Sequence, residues 1–171
     1  MSKAKKTVLG GILSALALIL LFFANLSNVL DICFVVVASM VMFVGVIELG
    51  RKWMLIMYAA VTVLGLLMIP IRAPLIMFAL FLGYYPFIKS LTEQFKKRAA
   101  EYAVKFAVFN AAAVICMIFF KTLFIESASA TNMMMIFFFI IANALFLLYD
   151  IAMTRLVTVY MYKIRPKLGK R

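Results

Sequence analysis

Residues 89–105, KSLTEQFKKRAAEYAVK, form the longest polar interruption in an otherwise apolar sequence. They carry five basic and two acidic side chains. In a membrane protein, Lys and Arg near the ends of spans resist translocation, so a basic loop stays on the cytoplasmic side. This stretch therefore predicts the sidedness of every apolar segment that precedes or follows it.

The composition predicts that lipid, rather than water, surrounds most of the chain. Of its 171 residues, 68% are hydrophobic, whereas an average soluble domain is about 45–50% apolar. Too few polar residues remain to cover a surface that faces water. Because a transmembrane helix needs about 20 apolar residues, a chain of this length has room for about six spans.

The formal net charge of +12 has a topological explanation. In a soluble protein such a charge would indicate a nucleic-acid partner. Here the basic residues flank the apolar runs, where the positive-inside rule and anionic lipid headgroups account for them. We therefore expect a lipid bilayer, and no nucleic acid, as the partner of these charges.

The apolar runs predict an all-α, polytopic bundle of six transmembrane helices with both termini in the cytoplasm. We expect a single integral membrane domain over residues 1–171, with spans at 7–24, 32–47, 53–69, 74–89, 102–125 and 132–161. This topology places sixteen of the 18 Lys and Arg residues inside, and leaves Arg72 and Lys121 outside. It predicts a multi-pass protein of the cell membrane.

Glycine and proline mark several predicted helix boundaries. Gly50 is expected to end the second span, and Pro70 and Pro74 should separate the third from the fourth. Pro86 lies inside the fourth apolar run and predicts a kink there.

The sequence lacks the residue patterns of common enzymes. It contains no histidine, no P-loop, no GxSxG and no HExxH. The cysteines Cys33 and Cys116 each lie in an apolar run, where a free cysteine usually packs as a small hydrophobic residue. We therefore predict a protein that is not an enzyme and has neither a cofactor nor a metal site, with an enzyme built from Lys, Tyr or a lone carboxylate as the alternative.

Polar residues at the predicted outer ends of the spans form a candidate ligand-binding site. They are Asn25, Asn28, Asp31, Arg72, Lys121, Glu126 and Asn132. One interpretation is the ordinary polarity of interfacial loops. The other is an outward-facing cavity with aromatic walls, since ligand pockets combine apolar walls with a few orienting polar groups. In that case Asp31, Arg72 and Lys121 should lie near one another.

A second polar group lies at the predicted inner ends of the spans. Its members are Glu48, Arg51, Lys52, Lys105, Asp150 and Arg155. Ionisable residues in membrane segments usually face the bundle interior or a watery cavity. A structural ion cluster is the favoured interpretation, with a proton relay as the alternative.

The first span carries small residues near its cytoplasmic end. Gly11 and Ala15, like Gly10 and Ser14, are spaced so that they share one helix face. Such a face lets another helix approach closely. The helix at this face belongs either to the same bundle or to a partner subunit.

With six spans, cytoplasmic termini and this first helix, the chain resembles the substrate-binding S component of energy-coupling factor vitamin transporters. The family typically has an Ala-x-x-x-Ala motif on the first helix, and Gly11 and Ala15 occupy the matching positions. The resemblance implies a bacterial plasma membrane protein that binds a vitamin or similar small nutrient on the outside. It also implies a membrane coupling subunit and ATPase subunits as partners.

The alternative is a membrane scaffold that does not transport. In size and hydropathy the chain is also similar to the rod-shape-determining membrane protein of the cell-wall elongation machinery. In a scaffold the polar loops would bind partners and the core would be dry. A ligand that stabilises the purified protein would distinguish a transporter subunit from a scaffold, because binding to the native state alone raises its stability.

The predicted sidedness can be measured by cysteine labelling in a background without Cys33 and Cys116. An impermeant reagent added outside intact cells should label Ala128→Cys and miss Lys97→Cys. In inverted vesicles the pattern should be exchanged. Labelling of position 97, but not 128, from outside would overturn the orientation.

Overall fold

The computed structural model describes residues 2–27, 29–70, 73–95, 97–124 and 132–165. The α-helices are α1 (Lys3–Leu26), α2 (Asp31–Leu49), α3 (Arg51–Met68), α4 (Ala73–Met77), α5 (Tyr85–Thr92), α6 (Arg98–Phe124) and α7 (Asn132–Val159). Two π-helical segments, Phe78–Leu82 and Tyr160–Ile164, complete the elements. No strand occurs in these described ranges.

Among the residues that the structure describes, six helices are long and apolar enough to cross a membrane. Five of them correspond to α1, α2, α3, α6 and α7, and the sixth is the composite helix Ala73–Thr92, called here the fourth span. For the part of the chain that the structure describes, the prediction of an all-α protein with six such helices is confirmed. These helices indicate a multi-pass membrane protein.

The chain divides into two compact units, Met1–Phe124 and Ile125–Arg171. In the first unit, α1 packs against α2, α2 against α3, and the fourth span against α2 and α6. In the second unit, Phe146, Asp150 and Met153 are buried. Their spacing places them on one face of α7.

Small residues allow close approach between consecutive helices of the first unit. A Cβ atom built on Gly45 of α2 would lie 3.0 Å from Cε of Met57 in α3. One built on Gly65 of α3 would lie 2.9 Å from Cδ1 of Leu75 in α4. Close backbone approach of this kind is a main source of helix association in lipid, where the hydrophobic effect does not drive it.

Gly50 forms the entire connection between α2 and α3. Its backbone has φ 92° and ψ 168°, a region that is essentially restricted to glycine. Its N–H donates to the carbonyl of Val46 at 3.1 Å. The prediction that the second helix ends at Gly50 is confirmed.

The fourth span is interrupted near its middle. α4 passes into the π-helical segment, and a turn at Gly83 and Tyr84 separates this segment from α5. The irregularity that Pro86 predicts occurs in the turn just before it, and Pro86 itself lies in the first turn of α5, where its missing N–H has no intrahelical partner to lose.

Candidate functional site

The candidate site is centred on the interruption of the fourth span. The N–H of Gly83 donates to the carbonyl of Phe78 at 2.7 Å, the wide hydrogen bond that closes the π-helical segment. Such segments occur frequently at functional sites. In a membrane, a break in a helix is tolerated only where neighbouring groups satisfy the released backbone atoms.

Tyr58 of α3 supplies one of these partners. Its hydroxyl donates to the carbonyl oxygen of Ala79 at 2.5 Å. A buried polar group without a partner is costly in a low-dielectric environment. The hydrogen bond therefore ties α3 to the interruption and stabilises the irregular backbone.

Aromatic rings surround the interruption. The rings that we call the aromatic cluster belong to Tyr58, Phe78, Phe81, Tyr84, Tyr85 and Phe109. Phe81 is central, with its ring centroid 5.0 Å from that of Tyr85 and 5.2 Å from that of Phe109 in α6. These separations suit favourable tilted and edge-to-face ring pairs. The cluster thus joins the fourth span to α3 and α6.

Gly83 leaves no space between the interruption and these rings. A Cβ atom there would lie 2.8 Å from both the carbonyl oxygen of Phe78 and Cε2 of Tyr58. Because one of these atoms belongs to the backbone, a side chain could be accommodated only by moving the helix. Glycine is therefore required at this position for the observed packing.

A line of buried polar residues continues along α5 below the cluster. Tyr85, Lys89 and Thr92 are all buried, and their spacing puts them on one helix face. Nζ of Lys89 lies 3.0 Å from Oε1 of Glu93, which is the next charged residue towards the α5–α6 connection. The side chain of Lys89 is 0% exposed and that of Glu93 is 39% exposed.

The start of α6 carries a second lysine–glutamate pair, in which the order of the two residues along the chain is reversed. Nζ of Lys105 lies 2.6 Å from Oε1 of Glu101, with the side chains 2% and 17% exposed. The ammonium group also lies 5.5 Å from the centre of the Tyr102 ring. In both helices the lysine is the deeper member of the pair and the glutamate lies one turn closer to the connection.

The aromatic cluster and the Lys89–Glu93 pair both lie in or next to the fourth span, which is the most buried of the described spans in the first unit. In an 18-residue stretch of the fourth span 56% of residues are buried, against 22% in the corresponding stretches of α1 and of α3. Aromatic walls with a few fixed polar groups are typical of small-molecule sites. Buried ionisable residues in membrane segments are usually functional.

The predicted outer site is described only in part. Asn25 is buried and its Nδ2 donates to the carbonyl of Leu21 at 3.0 Å, while Oδ1 of Asp31 accepts from the N–H of Ile32 at 2.8 Å. The other members, Asn28, Arg72 and Glu126 together with the side chains of Lys121 and Asn132, lie outside the described residues. The grouping of Asp31, Arg72 and Lys121 therefore stays a prediction.

The small residues of α1 face two ways. Gly11 and Ala15 are exposed, and a Cβ atom on Gly11 would meet nothing within 4 Å. Gly10 is buried, and a Cβ atom there would lie 3.5 Å from Cδ1 of Leu49. Gly10 thus packs within the first unit, whereas the docking role of Gly11 and Ala15 stays a prediction.

Most of the site was missed by the sequence analysis, which included only Lys105 among its inner polar residues. Two signals could have identified the rest. Gly83 and Pro86 interrupt an apolar run, as glycine and proline do in discontinuous membrane helices. Lys89–Glu93 and Glu101–Lys105 form inverted i,i+4 pairs on either side of one connection.

Comparison with known proteins finds no family, no curated protein and no solved structure that matches the chain. Within the described residues, no group of three or more His, Cys, Asp or Glu side chains could hold a metal ion. The geometry around the fourth span is therefore the main guide to function.

The Tyr58 hydrogen bond provides a test of how the interruption is stabilised. Tyr58→Phe keeps the ring but removes the hydroxyl, which leaves the Ala79 carbonyl without this donor. We expect a loss of about 1–3 kcal/mol, measured as a lower melting temperature in detergent. Tyr162→Phe is the matched control, because Tyr162 is 80% exposed. Equal melting temperatures for the two variants would contradict the proposed stabilisation.

Proposed function

We propose that this chain is the substrate-binding membrane subunit of an energy-coupling factor type uptake transporter for a vitamin or similar small nutrient. The observation that supports this function best is the interrupted fourth span, with its buried lysines and aromatic cluster. Discontinuous helices commonly build the substrate sites of membrane transporters. A helix that only anchors a protein in lipid has no need of such an interruption.

The proposed transporter obtains energy from other chains. This sequence has no P-loop, so ATP hydrolysis belongs to separate ATPase subunits. A membrane coupling subunit connects them to the substrate-binding subunit. Gly11 and Ala15 are its proposed docking face, which agrees with their exposure on α1.

The proposed orientation in the plasma membrane places both termini and the α5–α6 connection in the cytoplasm. The distribution of Lys and Arg supports this orientation. The nutrient then enters from outside, where the sequence predicts a polar ligand-binding group.

A scaffold without a ligand is the second candidate, and the packing at Gly83 favours it. The rings of Phe78 and Tyr58 leave no room beside this glycine, as expected for a dry, rigid core. In a scaffold, the buried charges and the interruption would fix the shape of the bundle for its partners.

Ligand stabilisation distinguishes the two functions. The purified full-length chain should melt at a higher temperature with one member of a panel of water-soluble vitamins, because a ligand at 100 times its Kd stabilises by about 2.7 kcal/mol. A biosynthetic precursor or analogue of that vitamin serves as the specificity control. A flat response across the panel, with a folded protein, would favour the scaffold.

The docking face provides an independent test. Gly11→Leu and Ala15→Leu should abolish co-purification with a co-expressed coupling subunit, because the added side chains block close backbone approach. Folded yield should remain unchanged, since a Cβ atom on Gly11 meets open space. Gly10→Leu is the matched control and should reduce folded yield, because it faces Leu49. Unfolding of the Gly11 and Ala15 variants would count against the docking face.

A further inference from the structure

The α5–α6 connection, residues 93–97, lies directly at the ends of two membrane-length helices. α5 ends the fourth span at Thr92, and α6 begins at Arg98. The fourth span has 20 residues, and a helix of that length rises about 30 Å, which matches the hydrocarbon core of a bilayer. In a membrane the connection therefore falls at the level of the lipid headgroups.

Backbone hydrogen bonds keep this connection close to both helices. On the α5 side, the N–H of Phe95 donates to the carbonyl of Thr92 at 3.0 Å. On the α6 side, the N–H of Ala100 donates to the carbonyl of Lys97 at 3.1 Å. A connection this short, bonded to a helix at each end, cannot extend far from the membrane. Its side chains therefore meet whatever lies at the bilayer surface.

Two aromatic rings are exposed at this level. Phe95 is 47% exposed within the connection, and Tyr102 is 42% exposed one turn into α6. Exposed rings at the end of a membrane span suit the boundary between headgroups and acyl chains, where an aromatic side chain buries its apolar body in lipid. The exposure of these rings therefore indicates an apolar neighbour that is lipid.

Exposed basic side chains lie beside the rings. Lys97 and Arg98 are both exposed, and Arg98 shares a face of α6 with Tyr102, which follows it by four residues. In residues 89–105 as a whole, five basic side chains outnumber the two acidic ones. Arg and Lys form strong, charge-assisted hydrogen bonds with phosphate oxygens. The charge of this surface therefore favours an anionic headgroup over a neutral one.

We propose that Phe95, Lys97, Arg98 and Tyr102, called here the connection surface, bind an anionic phospholipid. Lys97 and Arg98 contact the headgroup phosphate, and the two rings pack among the neighbouring acyl chains. A lipid fits this surface better than a soluble anion, because only a lipid offers both the charge and the apolar chains. The connection surface is separate from the predicted nutrient site and from the docking face on α1, and the proposal does not depend on a transport function.

Fluorescence quenching can measure this contact in the full-length protein. Trp53 is the one tryptophan of the chain, so Trp53→Phe combined with Phe95→Trp places a single indole at the connection. The protein is reconstituted in phosphatidylcholine nanodiscs that contain the same fraction of either brominated phosphatidylglycerol or brominated phosphatidylcholine. We expect phosphatidylglycerol to quench preferentially, by about fivefold in relative affinity for each basic residue that contacts its headgroup.

Two double variants with the same loss of charge locate the binding site. Lys97→Gln with Arg98→Gln should remove the preference for phosphatidylglycerol. Lys3→Gln with Lys5→Gln is the matched control, because it removes two charges from exposed residues of α1, and it should retain the preference.

A preference that is lost only in the Lys97 and Arg98 variant would support the proposal. Equal quenching by the two lipids would overturn it. Equal loss of the preference in both double variants would also overturn it, because the total charge of the protein would then explain the effect. Absence of quenching by either lipid would overturn it as well, since the connection would then face water or a protein partner.

A second measurement decides the question if the protein with Phe95→Trp does not fold. Phosphatidylglycerol added in mixed micelles to the chain of native sequence should raise its melting temperature in a saturable manner, whereas phosphatidylcholine should not. Lys97→Gln with Arg98→Gln should abolish this response. An equal response to the two lipids, or a response that survives in this double variant, would overturn the proposal.

Discussion

The structure depends on one constraint: polar atoms inside lipid must find their partners within the protein. Three asparagines show the local solution. Nδ2 of Asn25, Asn110 and Asn143 donates to the carbonyl four residues earlier in the same helix, at 2.8–3.0 Å. Tyr58 makes a comparable hydrogen bond between helices, because its hydroxyl donates to the carbonyl oxygen of Ala79 at the interruption of the fourth span.

The fourth span concentrates the exceptions to regular helix geometry. A π-helical segment, a turn and a proline-containing first turn follow one another within it. These features are compatible with a membrane because α3 and α6 cover them with rings and one hydroxyl. The tight fit at Gly83 shows that the irregular backbone and its aromatic surroundings form one packed structure.

The stretch 89–105 has two physical roles. Lys97 and Arg98 are exposed where the chain passes from α5 to α6. Lys89 and Lys105 are buried beside glutamates that are closer to the connection. A sequence count treats all of these charges alike, yet burial separates those that interact with water from those that face the protein interior.

The amino-acid sequence by itself determined the helical class, the number of membrane-length helices and the boundary at Gly50. These features follow from apolar run length and from backbone sterics, which are local properties of the chain. It did not determine that the fourth span breaks before Pro86, because a proline can kink a helix or begin one, and the choice depends on neighbouring groups such as Tyr58. Only the tertiary structure showed that Lys89 is fully buried and that Phe81 contacts Phe109 in α6. Burial and ring contact arise from side chains distant in sequence, so no pattern within a single segment specifies them.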